Sequence, residues 1–130
     1  MTDFSDIARR VSTALGLRRT PVAVSFSDNM PANHVRPTQA ASAGCQFWEL
    51  GMNLAVTTDA TDHKHCAIGI HTHNLKAAPQ SQNAELSATL AAMQGLDYVR
   101  EDEVAQIPVL NSPAKYVSYL PLEQCNVQPA

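Results

Sequence analysis

The residues best suited to chemistry lie between Asp62 and His73, where the chain reads Asp-His-Lys-His-Cys-Ala-Ile-Gly-Ile-His-Thr-His. This segment of twelve residues holds four of the five histidines and one of the three cysteines. Imidazole nitrogens and thiolate sulfurs are the usual ligands of iron, zinc and other soft or borderline metals. The segment therefore predicts a transition-metal or redox site.

The spacing within this segment indicates which side chains can share a metal. His63 and Cys66 are three positions apart, which places both on one face of a helical turn or around a tight loop. His71 and His73 are two apart and share a face only if their stretch is extended. His65 is adjacent to Cys66, so the two are poorly placed to bind the same ion. We expect His63 and Cys66 to share one site.

Cys45 is the candidate for a second thiolate. Cys45 follows Gly44, and Cys66 is followed by Ala67-Ile68-Gly69. Small residues of this kind let the backbone come close to a metal or cluster that the sulfur binds. Two cysteines on different elements can converge on one iron–sulfur cluster or metal ion without a compact motif. The predicted ligands are Cys45 and Cys66, completed by one or more of His63, His71 and His73. The predicted cofactor is an iron–sulfur cluster, iron or zinc; haem is less favoured, because the chain has no CxxCH pair.

Two other interpretations use the same residues differently. In the first, the protein is a metal-free binding module or an oligomeric scaffold, its histidines lie on the surface, and its cysteines are small buried hydrophobes. In the second, Cys66 is an enzyme nucleophile activated by His63 or His71. The nucleophile needs a substrate cleft and an oxyanion hole as well, for which 130 residues leave little room.

Composition limits the class of protein and its partners. A chain of 130 residues with 45% hydrophobic residues and a net charge of −3 predicts a single globular domain. Its nine basic residues are scattered, which disfavours nucleic acid and anionic membranes as partners. The acidic N-terminus and the lack of an apolar run of about 20 residues predict a cytoplasmic protein. In that compartment we expect Cys45, Cys66 and Cys125 to be free thiols or ligands.

Residue periodicity predicts the elements that position these side chains. A helix is predicted over 5–15, with Asp3 as its N-cap and Gly16 closing it in the left-handed conformation. Further helices are predicted over 40–52 and 83–93, with one more turn over 101–105. Phe47 and Trp48 on the second helix are expected in the core.

The segments whose sequences are typical of β-strands are short. Strands are predicted over 21–27, 54–58 and 116–120, with a surface loop over 28–38 and a turn over 59–62. The expected fold is α+β: a small mixed sheet of about three strands with flanking helices. Because three strands are few for a self-contained sheet, we expect a homo-oligomer, and a redox role would add a redox partner protein.

A succession of short motifs resembles the domain of unknown function 169 family. The motifs are Leu15-Gly16-Leu17, Thr20-Pro21-Val22-Ala23-Val24, Gly44-Cys45-Gln46-Phe47-Trp48, Cys66-Ala67-Ile68-Gly69 and Tyr116-Val117-Ser118-Tyr119-Leu120-Pro121-Leu122. They cover nearly the whole chain in the family's order. Family members are commonly nearly twice as long, so the chain resembles their N-terminal half. The resemblance implies that Cys45 and Cys66 occupy cysteine positions of the family pattern.

Overall fold

The described part of the chain combines α-helices of 4 to 17 residues with three strands. In a computed structural model, the residues described are 2–38, 46–63, 66–76, 79–96, 98, 100–104, 106–127 and 129. The elements in chain order are α1 Phe4–Leu15, β1 Val22–Ser27, α2 Gln46–Gly51, β2 Val56–Asp59, α3 Ala67–Thr72, α4 Pro79–Gly95, α5 Glu101–Val104, β3 Tyr116–Pro121 and a 3₁₀ turn, Leu122–Gln124. The α+β class predicted from the sequence is confirmed.

Both ends of α1 are capped by the residues that the sequence indicates. The Asp3 carboxylate accepts hydrogen bonds from the backbone N–H groups of Ser5 and Asp6, two donors that have no partner within the helix. Gly16 ends the helix at φ 60° and ψ 36°, a left-handed conformation that glycine adopts without a steric cost.

Replacing Asp3 with alanine is expected to lower the free energy of unfolding by about 1 kcal/mol, because two backbone donors lose their acceptor. Urea denaturation measures the change. Asp3→Asn is the matched control, since its side-chain oxygen can still accept both hydrogen bonds. An alanine variant as stable as the wild type would show that the cap contributes nothing.

The last strand lies in the middle of the sheet. The strand order is β1-β3-β2, and β3 pairs antiparallel with both neighbours, with Val24 opposite Tyr119 and Val56 also opposite Tyr119. Both neighbouring pairs in the sheet are therefore antiparallel, and β1 and β2, which flank β3, run in the same direction. A parallel pairing, as expected of a mixed sheet, occurs only as isolated bridges in the described part of the chain, one of them between Val35 and Val56 at the β2 edge.

Each face of the sheet has its own hydrophobic cluster. One face carries the larger cluster, which is formed by Phe47, Val56, Ala60, Ile70, Leu75, Val117 and Tyr119. The opposite face carries Ala23, Leu120 and Cys125, with Phe4 and Leu122 packed against them. Since α2 and α3 contribute Phe47 and Ile70, they cover the first face, and His63, which packs against Phe47, lies there.

The close approach of α2 to the sheet depends on Gly51. A Cβ atom at this position would lie 2.7 Å from the Tyr119 Cβ and 3.1 Å from a methyl carbon of Val22. Both distances are shorter than van der Waals contact, so only glycine allows the helix to lie this near to β3. The short α2 is thus fixed directly over the strand that carries Tyr119.

Several predicted boundaries differ from the structure. Of the helix predicted over 40–52, the described part is Gln46–Gly51, and residues 40–45 lie outside the described residues. The strand predicted over 54–58 is shifted to Val56–Asp59, and the helix predicted over 83–93 is longer, at Pro79–Gly95. Trp48 was expected in the core, but it is 41% exposed, because only Phe47 of this pair turns inward.

In the described part of the chain, none of the helices has both the length and the apolar character needed to cross a membrane.

Candidate functional site

His63 is the most deeply buried of the candidate ligands, with 0% of its surface exposed to solvent. It lies over β2, where its Nε2 is 2.9 Å from the hydroxyl of Thr58, and it meets the Phe47 ring edge-on at 4.7 Å. Thr58 donates its own hydroxyl proton to the Val117 carbonyl at 3.4 Å. When Thr58 donates to Val117, its oxygen accepts from the imidazole, and the ring proton lies on Nε2.

This tautomer leaves a lone pair on His63 Nδ1. That nitrogen is buried and, among the residues that the structure describes, has no hydrogen-bond partner. A buried polar atom without a partner costs free energy and is uncommon in folded proteins, where it marks a place that a ligand can complete. Within the described part of the chain, His63 Nδ1 is therefore a buried atom in need of a partner.

Cys66 brings its sulfur to the same place. A Cβ atom built on Gly69 would lie 3.0 Å from Cys66 Sγ and 3.6 Å from His63 Nδ1, so both atoms face one point in front of the Gly69 backbone. The turn that joins them is closed by a hydrogen bond from Cys66 N to His63 O of 2.7 Å. His63 and Cys66 thus approach one point of the fold, where Gly69 leaves space, and a ligand shared by the two stays a prediction.

Arg36 fixes the turn that carries His63 toward the sheet. Its guanidinium lies 2.5 Å from Asp62 Oδ2 and 2.9 Å from Asp59 Oδ2. The Asp62 carboxylate also accepts the backbone N–H of Asp59 at 2.9 Å. These contacts hold both ends of the turn between β2 and His63, so the imidazole is positioned before any ligand binds.

His73 lies beside this pair at the end of α3. Its ring centroid is 6.1 Å from that of His63 and 5.7 Å from that of Phe26. Nδ1 of His73 lies 2.7 Å from the Gly69 carbonyl, which can only accept, so Nδ1 is the donor in this hydrogen bond. His63 and His73 therefore each use one ring nitrogen as a donor to the protein, an arrangement typical of histidines that bind metals.

The other candidates stand apart from this group. His71 and His73 were predicted to share a face only if their stretch were extended. α3 is helical as far as Thr72, and residues two apart on a helix point about 200° away from each other. Cys45 and His65 lie outside the described residues, so the predicted approach of Cys45 to Cys66 stays a prediction. Cys66 and Cys125 are free thiols, and Cys125 is buried on the opposite face of the sheet.

Burial sets the protonation state of His63. Removal of the ring from water, with a smaller contribution from the nearby His73, lowers the pKa of His63 to about 4, against a slight opposing effect of Asp59. The imidazole is therefore neutral at pH 7 and ready to donate its lone pair. A group with this pKa is a weak base toward a thiol, which disfavours the interpretation of Cys66 as a nucleophile activated by His63.

The described residues do not by themselves make a complete metal cage. Across the described ranges, no group of three or more His, Cys, Asp or Glu side chains is placed to hold a metal ion. What the fold provides is a pair of donors, Cys66 Sγ and His63 Nδ1, with His73 nearby. Such a pair fits a soft or borderline metal by donor type, with further ligands required for a tetrahedral site.

The comparisons with known proteins bear on the motifs that carry this site. A family model described as "Uncharacterised ArCR", DUF169, matches residues 10–130. The chain belongs to the DUF169 family. The match includes α2, the turn that carries His63 and Cys66, and β3, so the site lies within the DUF169 domain. Among curated proteins and among solved structures, no match to this DUF169 chain was found.

Two residues of this DUF169 site were not singled out by the sequence. Thr58 sets the tautomer of His63, and Tyr119 packs 6.3 Å from Phe47, where burial raises the pKa of its phenol and keeps it protonated. Both were predicted only as strand residues. Their periodicity places them on one face of a sheet, but a contact with His63 or Phe47 depends on which elements cover that face.

Proposed function

We propose that this protein binds a transition-metal ion or an iron–sulfur cluster through Cys66 and His63 and has a redox or electron-transfer role. Cys45 and His73 are the candidates for further ligands. We place the protein in the cytoplasm, where it acts as a homo-oligomer and exchanges electrons with a redox partner protein. The observation that carries the proposal is the buried Nδ1 of His63, which lies near the Cys66 sulfur and has no hydrogen-bond partner among the described residues.

Three features support a metal over other ligands at this point. The donors are one sulfur and one neutral imidazole nitrogen, the set preferred by iron and zinc. His63 needs no deprotonation near neutral pH, because its pKa is about 4. Thr58, as the acceptor for Nε2, leaves the lone pair on Nδ1 beside Gly69, as outer hydrogen-bond partners do in metalloproteins.

The proposal is tested by metal analysis and the ultraviolet–visible spectrum of protein purified without oxygen and without a His-tag. We expect about one metal ion or cluster per chain or per dimer. An iron–sulfur cluster would add a broad absorption band at about 400 nm. Cys66→Ser is expected to lose most of the bound metal, and Cys45→Ser tests the predicted second thiolate. A colourless wild-type protein without metal would refute the proposal.

A glycine pair provides a sharper test of the location. In Gly69→Ala, the new methyl group would lie 3.0 Å from Cys66 Sγ, in the space that a shared ligand would need, so metal content should fall at least tenfold. Gly95→Ala is the matched control, because a Cβ atom there meets nothing within 4 Å. Circular dichroism checks that both variants are folded. Full metal content in folded Gly69→Ala would place the metal elsewhere.

A further inference from the structure

An apolar cavity of about 590 Å³ opens between α2 and the β1 edge of the sheet. Val22 and Val24 of β1 form one wall, and Trp48 and Met52 form the other. His73 and Tyr119 also line it. This volume lies within the range of small-molecule sites, which is about 300 to 1,000 Å³. The cavity lies next to His63 and Cys66, but neither of them lines it.

The lining combines aromatic side chains with one charge. Trp48, Tyr119 and His73 offer ring surfaces, and the thioether of Met52 also packs well against aromatic rings. Arg19 is the one lining residue, among those that the structure describes, with a full charge. Its guanidinium is 69% exposed and only loosely paired, with Nη1 3.6 Å from Glu49 Oε1. A pair so exposed is weak, so Arg19 is available to a competing anion.

We propose that this cavity binds a small aromatic carboxylate. The aromatic body lies between the valines of β1 and the Trp48 and Met52 side chains, and the carboxylate faces Arg19 at the mouth. The proposal does not depend on a bound metal, because no residue of the Cys66 and His63 pair is needed for it.

The single tryptophan of the chain makes a direct test possible. Chelator-treated, ¹⁵N-labelled protein is titrated with 2-naphthoate, and the one indole N–H cross-peak reports on Trp48 in the cavity wall. We expect this peak to shift in a saturable way. The neutral analogue 2-naphthamide should bind about fivefold more weakly, because it lacks the charge that Arg19 attracts.

Adjacent arginines supply the matched variants. Arg19→Gln is expected to abolish the preference for naphthoate over naphthamide, whereas Arg18→Gln, at an exposed position outside this cavity, should retain it. A Trp48 peak that stays in place at millimolar naphthoate would overturn the proposal. So would equal binding of the two compounds by the wild type, or an equal effect of the two substitutions.

Discussion

Replacing Phe47 with alanine is expected to lower the free energy of unfolding by about 3 to 5 kcal/mol, the largest stability effect that we expect of any substitution here. Phe47 is 1% exposed and packs against both the His63 and the Tyr119 rings, so its removal leaves a cavity in the centre of the larger core cluster. The loss of stability has two contributions: the ring is no longer buried, and a cavity remains because the sheet behind it cannot close the space.

Urea denaturation of the metal-free protein measures this change. Leu50→Ala is the matched control, because Leu50 lies on the same short helix but is 42% exposed, and its loss should cost less than about 1 kcal/mol. The two substitutions separate core packing from helix propensity. A Phe47→Ala protein destabilised no more than Leu50→Ala would show that α2 does not pack on the sheet as described.

The second large effect concerns pH. The pKa of His63 is about 4 in the folded protein, whereas the ordinary value for histidine is 6.5. At pH above 6.5 the ring is neutral in both states and contributes no pH dependence. As the pH falls from 6.5 to about 4, the unfolded chain binds a proton that the folded protein does not. We therefore expect a loss of about 3 kcal/mol of stability over this window.

The measurement compares urea denaturation at pH 7.5 and 4.5 for the wild type and His63→Gln, both treated with a chelator. Glutamine keeps a side-chain amide for Thr58 but cannot be protonated, so the variant should lose less stability on acidification by about 3 kcal/mol. Subtracting the stability change of the variant from that of the wild type removes the contribution of the carboxylates, which both proteins share. If both proteins lose the same stability between these values, His63 is not buried in its neutral form.

The cap and sheet elements show what local sequence information can determine. Asp3, Gly16 and the apolar period of α1 act within a few residues of one another, so the helix and both of its ends follow from the sequence. The β-branched runs likewise indicate β1 and β3. The order β1-β3-β2 does not follow, because β3 pairs with strands that lie about 60 and 95 positions earlier in the chain.

The candidate site divides in the same way. The sequence by itself determined that His63 and Cys66 can meet in a turn, since they are three residues apart, and it determined the family through the order of its motifs. Only the tertiary structure decided that His63 is buried with an Nδ1 to which no described residue hydrogen-bonds, because Thr58 and Phe47 reach the ring from other elements. It also separated His71 from His73 and formed the apolar cavity beside Trp48. The physical reason is that spacing fixes which atoms can meet, whereas burial and the direction of a lone pair depend on the elements that pack around them.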